Sequence, residues 1–530
     1  MNAFLLSNVQ QWRTVQFLRW SFRAIFNWRT ARRAMLALAT LATLIAIFYA
    51  VENWRGQRAW AQLKQEMEAR GEKLDVAAFI PPPVPDERNF AMAPLWRDIF
   101  ANPNTAANSA TRRPHVVGQN GRAKVPQRGD WLQARRTDLA DWQRYYRELH
   151  AEMASFPNQP VADEFPIPPE PGTPAEDVLL ALSRFDQKLE EMRAAARRPE
   201  SRFPLRYEDG FNTALPHLGL LQGASAVLKL RSLAELELGQ IDAAFADVQL
   251  HFRMLAALKT EPLLISQLVR MSLSQAILEP IWHGAADHRW TDAQLAALED
   301  ELQKFDFLAD FDSGRQFERA FGLQVLGHLQ ATRDAKIFSL LTTTGTQLRN
   351  PEIWAEVYRA MPGGWFAQNR ISYVGFFRQL GSPRASPSAQ HIASQDWRRR
   401  CQEFLHKVSH VGPYSFLASP GSTWIPEIAT KFIRTEALAR LAWTACALER
   451  YRLAHGRYPQ SLAPLAPQFI AAVPRDVIDG GELKYRRTND DRFVLYSIGW
   501  NGKDDGGEVV LNRDRVDEKE GDWVWKYPPE

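Results

Sequence analysis

The chain is poor in cysteine. Among 530 residues only Cys401 and Cys446 occur, so a disulfide framework is excluded. The two could form one bridge, but the expectation is two separate buried thiols. Long apolar runs are also scarce. After Val51 no second run is long enough to cross a membrane. Also missing are a Gly-x-Ser-x-Gly elbow, a Gly-rich phosphate loop before Lys-Ser/Thr, a dinucleotide fingerprint and a His-Glu-x-x-His zinc motif. No enzyme class is therefore indicated. Acidic residues are absent from positions 1–33, which carry Arg13, Arg19, Arg23, Arg29, Arg32 and Arg33. The net charge of +4 is thus a property of this tail, and the remainder lies near −2. A nucleic-acid binder would carry its basic excess on the folded part, so no nucleic-acid partner is expected.

What is present begins with Ala34–Val51, 18 residues without a charge. A spanning helix needs about 17–25 such residues. Arg32-Arg33 on one side and Tyr49 and Trp54 on the other suit a basic cytoplasmic collar and an aromatic belt. The positive-inside rule places residues 1–33 in the cytoplasm and everything after Val51 outside it. The leading region is long and no small-x-small cleavage site stands near Ala50, so an uncleaved signal anchor in a bacterial inner membrane is expected. The aromatic and basic tail suits contact with anionic lipid.

Beyond the anchor, 52–174 reads as juxtamembrane helices and Pro-rich linkers. Gln57–Arg70 continues as a polar helix. Phe79–Phe90 holds a Pro-Pro-Pro-x-Pro spacer. Residues 101–130 read as a polar loop, Trp131–Met153 as helix, and Pro157–Pro174, with seven prolines, as a linker.

Residues 175–425 form a helical body. Ala226–Gly239, Gln-Ile-Asp and Ala243–Leu250 resemble a single tetratricopeptide-like hairpin. Thr291 and Gln294 make a capping box. Residues 341–390, rich in Gly, Thr, Ser and Pro, are expected to wander over the surface, and a helix resumes near Gln395–His410. His406 and His410 share a helical face with Cys401 one turn earlier, a set zinc could use with a further ligand. Asp306, Asp310 and Asp312 precede Gly314 without fitting a calcium loop, and read as solvated acids.

Residues 426–530 form an α+β module. Leu438, Leu441, Ala445, Leu448 and Tyr451 make a stripe suited to packing on a small sheet. Gly456 and Pro459 end the helix. Leu483 and Tyr485 begin one strand, Asn489-Asp490-Asp491 turns the chain, and Arg492–Ile498 alternates as a second. Ala447-Leu448-x-x-Tyr451, Gly456-x-Tyr458-Pro459-x-x-Leu462, Val473-Pro474-x-Asp476, Tyr485 and Tyr496-Ser497-Ile498-Gly499-x-x-Gly502-Lys503 with Gly506-Gly507 resemble the globular part of the type II secretion major pseudopilin. That resemblance covers about 70 residues. It implies a long helix on a small antiparallel sheet and a calcium-binding acidic loop, with Asn501, Asp504, Asp505 and Glu508 as the ligands. Oxygen donors on a glycine-rich loop suit a hard cation. In that family the membrane helix follows a cleaved leader and runs directly into the long helix; here the anchor lies far upstream.

The fold expected is mainly α: one N-terminal transmembrane helix, a helical ectodomain and a small C-terminal α+β module. The function expected is a scaffold or interaction subunit of the cell envelope, partnered by the bilayer and by other envelope proteins, near secretion machinery. Two alternatives stand beside it: an extracytoplasmic hydrolase with its site in the helical body, and a pilin-like assembling subunit. Calcium is the one cofactor suggested.

Overall fold

A computed structural model describes residues 28–101, 124–127, 129–154, 165–333, 336, 338–339, 351–386, 389–392, 394–419, 422–488 and 492–528. The tail up to Asn27, most of the expected 101–130 loop, the first part of the Pro157–Pro174 linker and the expected turn at Asn489–Asp491 lie outside these residues. The protein is mainly helical, with small antiparallel sheets near its C-terminus. It divides into two compact units.

One unit comprises Met1–Gly71, Leu326–Tyr373 and Val411–Pro420. Its leading element is the helix Trp28–Ala69. The apolar stretch of this helix has a mean hydropathy of 2.3 over 18 residues and none of that window is buried. Leu36, Leu38 and Leu44 are each more than half exposed. From Glu52 onward the same helix turns polar and packs. The Glu52 carboxylate accepts from the Trp365 indole at 3.0 Å, the Tyr414 hydroxyl at 2.9 Å and Arg55 at 2.9 Å. The Tyr49 hydroxyl donates to the Ala360 carbonyl.

Residues expected to wander are helical instead: Pro351–Ala360 and Gly363–Leu380. Their glycines read as loop signals in sequence, yet Gly364 serves close packing. A Cβ there would sit 1.9 Å from the Glu52 carbonyl oxygen, and one on Gly56 would sit 2.2 Å from the Gly364 carbonyl oxygen. Two helix backbones approach through glycine because no side chain fits between them.

The other unit comprises Glu72–Val325, Val374–His410 and Gly421–Glu530. Pro216–Glu237 and Ile241–Leu258 form an antiparallel hairpin, turned at Gly239 with φ 73°, and Leu264–Ala286 packs on both. The first of these helices starts ten residues before the resemblance suggested, with Pro216 in its first turn. The Thr291–Gln294 capping box is formed and opens the helix Asp292–Gln303.

The long helix Ile425–His455 is the centre of this unit. It packs against Asp292–Gln303, Leu264–Ala286 and the sheet together. Leu438, Leu441, Ala445 and Leu448 are buried as the stripe suggested, but so are Arg434, Glu436, Arg440 and Glu449 on the other faces. Those charges are paired internally. Arg440 holds Glu436 at 2.7 Å and donates to the carbonyls of Arg475 and Gln390, and Glu436 accepts from the Phe307 amide at 2.9 Å. Burying such groups is tolerable only when each is satisfied. The helix therefore spans a core and does not merely cover a sheet.

Gly456, with φ 71°, ends the helix in the left-handed conformation. A three-stranded antiparallel sheet follows, in the order β1–β2–β5: β1 is Lys484–Arg487, β2 Phe493–Ser497 and β5 Trp523–Lys526. Leu495 pairs with Tyr485 on one side and Trp525 on the other. Central placement buries all five residues of β2, so the expected alternation of exposure is not found. β3 (Val509–Asn512) and β4 (Arg515–Gly521) form a separate hairpin. Trp525 is fully buried, with its ring centroid 5.0 Å from that of Trp131. The Trp282 indole donates to the Lys526 carbonyl at 3.0 Å, which ties β5 to the helical body.

Candidate functional site

The loop from Gly499 to Glu508 is held by its own polar groups. The Asn501 amide donates to Asp505 at 2.8 Å, and its carbonyl accepts from the Lys503 amide at 3.0 Å. Asp504 accepts from the Tyr496 hydroxyl at 3.0 Å and the Gly506 amide at 3.1 Å, with the Lys484 ammonium 3.6 Å away. These contacts hold the Asp504 carboxyl below the usual carboxylate range. The Glu508 side chain is exposed, and its carbonyl accepts from the Asp522 amide at 2.8 Å.

Asp522, between β4 and β5, is the acid that sequence reading missed. It is 1% exposed. One carboxylate oxygen accepts from the Gly507 amide at 2.7 Å, and the other is buried without a hydrogen-bond partner. Burial, with Asp505 and Asp504 nearby, pushes its pKa up to about 6. A buried carboxylate with one uncompensated oxygen beside two further acids fits a hard cation better than Asn501 does, since Asn501 is spent within the loop. Among the described residues no three His, Cys, Asp or Glu side chains come close enough to hold a metal. Asp522, Asp504 and Asp505 therefore do not converge on one point as a ligand set, and Asp522 with its buried open oxygen is the one acid of this corner that a cation could newly engage.

The other acid and histidine sets fall differently. Asp306 and Asp312 pair with Arg384, Asp310 with Arg270, and Asp312 also with Arg315 at 3.6 Å. Arginines thus occupy the acids: Arg384 ties its loop to the helix Phe307–Thr332, and Arg270 ties the helix Leu264–Ala286 to it. His406, exposed on the helix Ser394–Ser409, and His410 just past its end are tilted against each other, with ring centroids 4.4 Å apart. His410 Nδ1 lies 2.7 Å from the His406 carbonyl. Cys401 and Cys446 are both free; burial pushes the Cys401 thiol up to about 12.

Glu449 is a buried carboxylate with four side-chain partners. Tyr458 and Tyr527 donate to one oxygen, the latter at 2.8 Å, while Arg452 at 3.0 Å and His288 at 3.1 Å meet the other. It joins the Gly-x-Tyr-Pro turn, the last strand and the helical body at one point.

Two half-open pockets lie within this unit. One, of about 450 Å³, runs along the C-terminal module between Gln460–Ala463 and Val473–Arg475, with Glu482 and Tyr485 on its wall. The other, of about 480 Å³, lies in the helical body and gathers Arg136, Thr137, Asp138, Glu237 and His283. The Thr137 hydroxyl donates to Glu279 and accepts from the Gly129 amide at 3.1 Å, so it is held as a bridge and not presented as a nucleophile.

Compared with protein-family models, with curated proteins and with solved structures, the chain finds no match.

Proposed function

We propose that this is a single-pass protein of the bacterial inner membrane, with a cytoplasmic basic tail and an extracytoplasmic helical body closed by a pseudopilin-like module. It serves as a scaffold or interaction subunit of the envelope, near secretion machinery. The observation that carries the membrane part of this reading is the exposed apolar stretch before Glu52. Leaving such a surface in water would cost about 25 cal/mol per Å², whereas a bilayer removes the cost. The interaction role rests on the many polar ties between module and body, which make the two one structural support, and on a helical-body pocket without a nucleophile–base pair. The calcium reading belongs to the module and rests on Asp522.

The test has two parts. Reporter fusions at the tail and after Lys526 should give cytoplasmic and extracytoplasmic signals respectively; the same compartment for both ends would sink the anchor. Cross-linking in membranes followed by mass spectrometry should capture envelope proteins at the body or module. Recovery of the chain free of partners, together with hydrolytic activity toward an extracytoplasmic substrate, would favour the hydrolase.

A further inference from the structure

We propose that the unit carrying the apolar helix has a second membrane contact, in which the helix Pro351–Ala360, Trp365 and Tyr414 lie on the extracytoplasmic surface of the bilayer. This contact deepens the membrane reading above and rests on it.

The end of the apolar helix fixes the depth. Ala34–Val51 is 18 residues, about 27 Å at about 1.5 Å per residue, close to the roughly 30 Å of a hydrocarbon core. The bilayer boundary therefore falls near Val51. Whatever touches the last apolar turn lies at that boundary, however distant in sequence. The Phe48 ring meets Trp365 edge-on, with centroids 6.1 Å apart. The Tyr49 hydroxyl donates to the carbonyl of Ala360, the last residue of the helix Pro351–Ala360.

The rings point as interfacial aromatics do. The Trp365 indole and the Tyr414 hydroxyl both donate to the Glu52 carboxylate, at 3.0 and 2.9 Å. Glu52 stands one helical turn beyond Phe48, on the aqueous side. The polar tips thus face water while the Trp365 ring reaches back to Phe48, and Tyr414 packs edge-on against Trp365 at 5.9 Å. An apolar body toward lipid with a polar tip toward water is what enriches Trp and Tyr at membrane interfaces. Glu52 is buried and takes a further bond from Arg55, which holds the rings in place.

The helix Pro351–Ala360 extends this surface. Ile353, Val357 and Ala360 are spaced four and three apart and share one face. Ile353 is 56% exposed, and Ala360 is exposed as well. On one flank Trp354 stacks on Phe416 at 4.8 Å and Tyr358 is buried. On the other flank stand Glu352, Glu356 and Arg359, all exposed. An apolar stripe between a packed side and a charged side suits a helix lying in the interface plane. A bilayer that covers the anchor as far as Val51 meets the stripe at Ala360.

The test uses the full chain in liposomes of phosphatidylethanolamine and phosphatidylglycerol, with Cys401→Ser leaving only the buried Cys446. An environment-sensitive fluorophore is placed on Ile353→Cys, Ala360→Cys, Leu44→Cys or Glu68→Cys. All four positions are exposed, so no packed side chain is displaced. Labels at 353 and 360 should shift to the blue and be quenched by lipid carrying a nitroxide near the headgroup. The label at 44 should be quenched by a nitroxide deep in the acyl chain. The label at 68, at the far end of the same helix, should be quenched only by aqueous iodide. Quenching at 44, with 353 and 360 behaving like 68, would overturn this contact and leave the anchor standing. No lipid quenching at 44 would remove the anchor and this contact with it. Labels at 353 and 360 shielded from nitroxide and iodide alike would assign the face to a protein partner, which also overturns the inference.

Discussion

Replacing Glu449 with Leu should loosen the whole of the larger unit. The carboxylate sits 1% exposed and is shared by Tyr458, Tyr527, Arg452 and His288. Leucine fills much of the volume but removes the Glu449 bonds of two buried tyrosine hydroxyls, Tyr458 and Tyr527, at about 1–3 kcal/mol each. Arg452 and His288 reach solvent and add little. The expected loss is about 3–5 kcal/mol. In a unit of roughly 400 residues the unfolding entropy makes this a fall of about 4–6 °C in Tm. Tryptophan fluorescence during thermal unfolding in detergent reads it, since Trp282, Trp523 and Trp525 are all buried in this unit. Adding Tyr458→Phe and Tyr527→Phe to the leucine variant removes both hydroxyls that have lost their carboxylate and should restore at least half of the loss. The reasoning fails if Glu449→Leu melts with the parent, or if the triple variant is no more stable than the single one.

Other outcomes follow from the same contacts. Asp522 titrates near 6 when folded against about 3.9 in an unfolded chain. The folded state therefore binds the extra proton, so stability contributed by this group is full at low pH and falls as pH rises from about 4 to 6. Asp522→Asn should remove that part of the slope, and an unchanged pH profile would refute the assignment. Calcium should raise the Tm of the parent above pH 6 and leave Asp522→Asn unaffected; no response in the parent removes the calcium reading. Gly364→Val should disrupt the contact with the helix Trp28–Ala69 at a cost of about 1–3 kcal/mol or more, seen as faster proteolysis between Pro351 and Tyr373. Trp525→Ala should cost about 3–5 kcal/mol in unfolding by denaturant, and a loss under 1 kcal/mol would show that β5 is not a core strand.

The elements legible in sequence are those whose signals are local. Eighteen uncharged residues specified a long apolar helix, Thr291 and Gln294 specified a helix start, and Gly456 specified a helix end. Each needs only neighbours within a turn or two of chain. The helix over Gly363–Leu380 escaped notice because Gly364 is required by a distant backbone, that of Glu52, and not by its own turn. The same holds for Asp522. In sequence it stands within an acidic and basic stretch, whereas Asn501, Asp504, Asp505 and Glu508 stand on a recognisable glycine loop. Only the pairing of β5 with β2 and the bond from Gly507 bury it against that loop.

By itself, then, the sequence determined the class of fold, the apolar N-terminal helix and a few helix ends such as Thr291 and Gly456, because hydrophobic period, caps and glycine stops act over short distances. Tertiary structure alone decided which charges are buried. Arg440 and Glu449 look like solvent-facing residues until their surroundings are known. Glu436 and Arg452 on the same helix are local partners, but the Arg475 and Gln390 carbonyls, His288 and Tyr527 come from segments tens to hundreds of residues away, and no local pattern encodes a contact of that range.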